Sequence, residues 1–249
     1  MVPSANQSFR SRERVAAFAS LTRDDGRGYA RSVLVAGGRA VVQLAAVSFL
    51  IGWVVGSWAA LAGFLLVMYA VAVWTAGRRI TDNGSWRWAA VPIGAGPVPV
   101  LAAVLATGLV PARGITLIPV AGILIGGSLT ATALAGRRAL EELTTRRGEV
   151  EAALALGLPP REARLEIARP AASGALIPGL DQTRTVGLVT LPGAFVGMLL
   201  GGASPAQAGA VQLFVLLALL AAQTVAVALT LELVARGLLS RGGQPSAVT

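Results

Sequence analysis

A chain of 249 residues that is 55% hydrophobic and only 13% charged departs from soluble domains, which are about 45–50% apolar and about 25% charged. It carries too little charge to cover a water-facing surface, so it reads as an integral membrane protein. The net charge of +9 is then an orientation signal, read from where the charges sit, and not a mark of nucleic-acid binding.

The missing residue types exclude whole chemistries. There is no Cys and no His, and all 21 basic residues are Arg, so there is no Lys. Without Cys there are no disulfides, thiolate nucleophiles or Cys-ligated clusters. Without His there is no imidazole ligand and no Ser-His-Asp triad. Without Lys there is neither a Walker loop ending in Gly-Lys-Ser/Thr nor Schiff-base chemistry.

Residues 1–32 are polar and basic, with Arg10, Arg12, Arg14, Arg23, Arg27 and Arg31 against Glu13, Asp24 and Asp25. Their longest apolar stretch, Val15 to Phe18 and Ala19, is too short for the core of a signal peptide. They form a cytosolic tail, either disordered or with a basic helix over residues 10–21 lying on the membrane surface. Residues 33–249 form the transmembrane domain. Six apolar segments, near 33–55, 58–76, 89–110, 115–135, 176–200 and 209–233, each approach the ~20 residues that a ~30 Å hydrocarbon core requires. The expected fold is all-α, a polytopic membrane helix bundle of six spans.

Twenty of the 21 Arg fall on one side of these spans, and only Arg113 falls on the other. By the positive-inside rule that side is the cytosol, so both termini are cytosolic and the protein is multi-pass in the cell's inner (plasma) membrane. Trp53 and Trp58 mark the outer boundary, and Trp74, Trp86 and Trp88 the inner one, where aromatic belts form. The outer turns, at Gly56-Ser57, 109–114 and 201–208, are short. The one long connection, residues 136–175, is cytosolic.

That connection is charged and helical. Glu142/Arg146 and Arg147/Glu151 stand at i, i+4, and Leu140, Leu143, Val150 and Leu154 sketch one apolar stripe. Gly157 supplies a stop, with Pro159-Pro160 beyond it. Pro160 opens a second helix that runs through Ala168 and is stopped by Pro170. The loop is expected to be helix, turn, helix. Its residues Glu151-Ala152-Ala153, three residues, Gly157, nine residues, Ile167, two residues, Pro170 resemble the EAA loop of ABC-transporter permeases, with Arg169 where Leu is usual. The resemblance implies a coupling helix seated on a separate ATPase subunit, small Ala allowing close docking, Gly157 the sharp turn, and Glu151 offering a carboxylate.

Further blocks narrow the resemblance. Gly38-Arg39-Ala40-Val41-Val42-Gln43-Leu44, Ile118-Pro119-Val120-Ala121-Gly122, Ala175-Leu176-Ile177-Pro178, Thr185-Val186-Gly187-Leu188-Val189-Thr190-Leu191-Pro192-Gly193, and Ser204-Pro205 with Gln212 resemble, in order, the bacterial iron-export ABC permease family, related to plant aluminium-sensitivity permeases. The resemblance spans about residues 29–236. It implies a homodimeric permease with two ATPase subunits, ATP and Mg bound in the partner and no cofactor in this chain, and efflux of a metal such as iron. Members usually carry one more N-terminal span, where this chain is Arg-rich and polar. Gly127 stands at the family's Asn, Ile123, Ala194 and Phe195 at Met positions, and Val211 at a Tyr.

Ionisable residues inside a membrane are functional candidates. Arg39 opens the first span, Asp181 and Arg184 the fifth, and Glu232 ends the sixth. They form either a polar cluster at a gate or dimer interface, or an Asp181–Arg184 pair with snorkelling ends. Gln43, Gln182, Gln212 and Gln223 are the other polar candidates for the path. For a hard cation, Asp181, Gln oxygens and backbone carbonyls would have to suffice, and no soft-metal cage can be built. Gly193, Gly197 and Gly201 recur every four residues as a smooth strip after Pro192, which is expected to kink the helix. The strip is either a packing interface or a hinge. The chain is not expected to be an enzyme, since Asp181 is the only Asp in the apolar core and an aspartyl dyad needs two. The other reading is an ATP-independent channel or scaffold whose loop docks another protein.

Overall fold

The computed structural model describes residues 33–52, 54, 56–106 and 114–241. The basic tail with its surface helix, Trp53, Arg113 and most of the second outer turn lie outside the described residues. The chain divides into two units, Met1–Trp53 and Val54–Thr249. In the first, α1 (Val33–Gly52) is a 20-residue apolar helix with Leu34, Val41 and Phe49 exposed along it.

The second unit is built on two long helices, α5 (Gly114–Thr145) and α10 (Pro205–Ala235), packed along each other. Helix α2 (Trp58–Ile80) packs against α5, and the short α3 (Ala90–Ala95) and α4 (Pro97–Ala106) pack against both α5 and α10. Small residues recur at the contacts: Ala72 and Ala76 meet Ala89, Ile93 and Ala133, while Leu124 and Leu219 meet at Ala222. Small side chains let helix axes approach closely where lipid supplies no hydrophobic drive. Gly136 shows the limit, since a Cβ there would lie 2.8 Å from Ile80 Cδ1. Helix α10 starts on a capping box, in which Gln207 N–H donates to Ser204 Oγ and Ser204 N–H to Gln207 Oε1, with Pro205 at its first position, as such ends favour.

Among the described residues, four helices are long and apolar enough to cross a membrane: α1, α2, α10 and Thr116–Thr145 of α5. Each of the two other expected spans is divided into shorter helices. The third breaks at Gly96 into α3 and α4. Pro97 and Pro99 have no N–H to give to the carbonyls of Ile93 and Ala95, and Gly96 is pressed against the Ala222 carbonyl so closely that no side chain fits. The fifth divides into α8 (Ile177–Thr185), an irregular stretch and α9 (Gly193–Leu200). Gly187 has φ +84 there, and Val186 and Thr190 form an isolated parallel bridge. Among the described residues there is no strand. Pro192 is the residue before α9 and starts that helix instead of kinking one.

After α10 the chain folds back onto the connector that follows α2. The Ser240 carbonyl accepts from Thr81 Oγ1 and Asn83 Nδ2, each at 2.8 Å, and Arg241 Nε donates to the Ile80 carbonyl at 3.2 Å. Asn83 Oδ1 also accepts from Ser85 N–H at 2.8 Å, capping the 3₁₀ turn Gly84–Ala89. Asn83→Ala removes both bonds, so it is expected to lower stability by about 1–2 kcal/mol. Thermal melting of the detergent-solubilised protein measures this, and an unchanged midpoint contradicts the clamp.

Candidate functional site

The connection between α5 and α8 is the most charged part of the described chain. Helix α5 runs on to Thr145, well past its apolar portion, so Leu140 and Leu143 of the expected stripe lie on α5 itself and are buried. The break comes at Arg146, whose backbone leaves the helix with φ −105. Arg146 reaches back to Glu142 at 3.3 Å and forward to Glu149, with Nε–Oε1 at 2.6 Å, so it clasps the two helices across the break. Its hydrogen bond holds the Glu149 carboxyl below the ordinary range.

Helix α6 (Arg147–Ala155) follows. Glu151 is exposed and pairs with Arg147 at 2.8 Å. Both expected i, i+4 pairs are therefore formed. Ala152 is exposed and Ala153 half-buried. The helix ends on Gly157 at φ +91: Gly157 N–H donates to the Leu154 carbonyl at 2.9 Å and Leu158 N–H to that of Ala153 at 3.1 Å. This is a Schellman ending, which needs a left-handed residue after the cap. The turn leaves Leu154 exposed and Leu156 83% exposed, an apolar corner beside Glu151.

Helix α7 (Pro160–Ser173) turns back onto the bundle. Ala163, Leu165, Ile167, Ala168 and Ala172 are buried in it, and the last four join one cluster with Ile80, Leu140, Leu231 and Val234. Ile167 thus faces the core, while Glu151 and Gly157 face outward, so the six motif residues are not one surface. Pro170 does not stop the second helix, which continues to Ser173. Pro170 and Glu166, whose carbonyl it leaves without a helical donor, are both exposed, and water can satisfy that carbonyl.

Two Arg of α7 hold the end of α10. Arg161 donates through Nε and Nη2 to the two oxygens of Glu232 at 2.7 and 2.6 Å, and Arg236 donates to Glu232 at 2.6 Å. Arg164 Nη1 donates to the carbonyl of Ala235 at 3.2 Å, one of the carbonyls a helix end leaves open. The Glu232 carboxylate raises the Arg161 guanidinium above its ordinary value. Glu232 is therefore a clasp between α7 and α10. Sequence spacing could not find its partner 71 residues away; the available signal was that a carboxylate ending an apolar span requires a nearby cation.

Of the expected path residues, Asp181 and Arg184 lie on α8 and Gln212 on α10, while Arg39 and Gln43 belong to the first unit. Arg39 and Gln43 lie exposed on α1 in the other unit. Asp181 and Arg184 of α8 form an exposed pair at 3.7 Å. Gln212 is only 7% exposed in the first half of α10, and its Oε1 has no hydrogen-bond partner. Gly193 and Gly197 lie exposed on α9 with nothing within 4 Å of an added Cβ, and Gly201 meets only the carbonyls of its own helix. Among the described residues of the second unit no other helix covers that strip. No cluster of three or more Asp or Glu able to hold a metal occurs among them either.

Known proteins are similar to this chain over most of its length. The rice (Oryza sativa subsp. japonica) "UPF0014 membrane protein STAR2" is 37% identical over 203 residues, covering 80% of this chain and 70% of that protein. The Arabidopsis thaliana "Protein ALUMINUM SENSITIVE 3" is 34% identical, covering 75% of this chain and 70% of its own. The Escherichia coli (strain K12) "Probable iron export permease protein FetB" is 29% identical, covering 76% and 74%. No solved structure is significantly similar. Residues 15–239 match the model described as "Uncharacterised protein family (UPF0014)", and the chain belongs to that family of membrane proteins, with the iron-export and aluminium-sensitivity relatives that its sequence blocks resemble.

Proposed function

We propose that this chain is the membrane-spanning permease subunit of an ABC transporter, exporting a metal ion such as iron and driven by a separate ATPase. The observation that carries the reading is the two-faced connection 136–175. Its α7 is fixed to the ends of α5 and α10 by a buried apolar face and by the Arg161–Glu232 clasp, while its α6 turn offers an uncovered corner of Leu154, Leu156 and Glu151. An element gripped on one side and open on the other can pass a displacement to the two central helices. The chain contains no Lys and hence no Walker loop, so ATP and Mg belong to the partner. The Escherichia coli relative is named for iron export and the Arabidopsis thaliana relative for aluminium sensitivity, and both names support a metal as the cargo.

In this reading the α6 turn faces the cytosol, as the Arg distribution requires, and the protein resides in the plasma membrane with both termini inside. Glu151, Ala152, Ala153 and Gly157 meet the ATPase, whereas Ile167 and Pro170 shape the helix behind them. Two copies form the complex, and the uncovered Gly193–Gly197 strip is the surface on which the second copy packs, since close helix approach needs residues without side chains.

Two variants test the coupling. A β-branched residue in the left-handed conformation costs roughly 1–2 kcal/mol, so Gly157→Val is expected to abolish stimulated ATPase activity of the reconstituted complex while membrane insertion is retained. Undiminished activity contradicts a coupling role and favours an ATP-independent channel or scaffold. Glu232→Gln keeps the turn but weakens the clasp. It is expected to leave ATPase association intact while metal transport falls at least about five-fold, read as uptake into inverted vesicles. Unchanged transport contradicts transmission through α7.

A further inference from the structure

In a membrane helix a Ser or Thr hydroxyl ordinarily donates to the carbonyl four residues back. Thr130, Thr183, Thr224 and Thr230 do so, at 3.1, 2.9, 2.8 and 2.6 Å. Ser128 and Thr132 do not. They lie one turn apart on the same face of α5, both at 0% exposure, and neither hydroxyl has a hydrogen-bond partner. On α10, beside Gly127 of α5, Gln223 is 8% exposed and its Oε1 is also unpartnered. Leaving a buried polar group unpaired costs about 1–3 kcal/mol, so three in one region mark a place kept polar for something else.

The backbone around them is stripped of side chains. Ser128 Oγ lies 3.3 Å from where a Cβ on Gly96 would stand, at the break between α3 and α4. Gln223 Nε2 lies 3.1 Å from a Cβ position on Gly127, and its Oε1 would overlap one on Gly179 of α8. Three elements other than α10 thus present glycine toward one amide and one hydroxyl. The break at Gly96 adds backbone oxygens, because Pro97 and Pro99 leave the Ile93 and Ala95 carbonyls without helical donors, and interrupted helices supply carbonyls to ions in membranes.

We propose that Ser128, Thr132 and Gln223, with the backbone at Gly96, Gly127 and Gly179, form an all-oxygen site at which a hard metal cation crosses the bundle. The assignment rests on the transport reading and names where in the chain the ion passes. Hydroxyl, amide and carbonyl oxygens suit hard cations, and none of these residues offers a soft donor. The absence of a carboxylate leaves the site neutral, so the ion keeps part of its water shell and is held weakly enough to leave, as passage requires. Gln212, which shares the orphaned amide, lies eleven residues earlier on α10, about 16 Å along the helix, so it is a separate point.

The full-length chain in detergent, titrated with Mn²⁺ and followed by the loss of the free-ion EPR signal, tests the site. One ion per chain is expected to bind. Thr132→Val, Gln223→Met and Ser128→Ala, which nearly preserve volume, are each expected to raise the apparent Kd at least about tenfold, with unchanged circular dichroism. Thr230→Val, which removes an equally buried but satisfied hydroxyl, is expected to bind as the parent does. Absence of binding, or equal affinity in all variants, overturns the site. If Mn²⁺ fails to bind while Gly157→Val still uncouples the ATPase, the permease reading stands and this site alone is refuted.

Discussion

The docking of α7 against the ends of α5 and α10 is the contact on which the rest depends. It combines a buried face of Ala163, Leu165, Ile167, Ala168 and Ala172 with a bidentate Arg161–Glu232 pair and an Arg164 bond to the last turn of α10. An exposed pair alone is worth little; the apolar face supplies the adhesion, and the guanidinium fixes the register. Because α5 and α10 are also the helices that carry Ser128, Thr132 and Gln223, a shift of α7 acts on both walls of the polar centre. The same bundle that anchors the turn therefore contains what the turn would move.

How much of this the sequence reveals depends on how local each signal is. The four long helices are legible because twenty apolar residues are sufficient evidence of a span. The two broken segments are not, because hydropathy scores side chains while Pro97, Pro99 and Gly187 act on the backbone. The pairs Glu142–Arg146 and Arg147–Glu151 are legible at i, i+4, and Gly157 as a stop. The clasp joining residues 161 and 232 has no local spacing to betray it. Pro170 reads as a stop, yet on an exposed face its lost bond is taken up by water and the helix continues.

The interior polar groups lie further still from sequence reasoning. Hydroxyls are ordinary in membrane helices, and nothing in the letters separates Thr132 from Thr230, which are equally buried. Only packing reveals that one hydroxyl meets its own helix and the other meets nothing. The glycines at 96, 127 and 179 likewise read as flexibility or spacing, whereas each is a point where another helix leaves no room for a Cβ.

If the chain is an ABC permease, the α6 turn meets a nucleotide-binding partner. Because the chain has no Cys, Leu156→Cys, at the most exposed leucine of the turn, gives a single attachment point for a thiol-directed photocrosslinker in native membranes. One cytosolic adduct is expected, and its sequence carries a Walker ATPase loop. Adducts that lack a nucleotide-binding sequence, or none at all in membranes that retain transport activity, would contradict that contact.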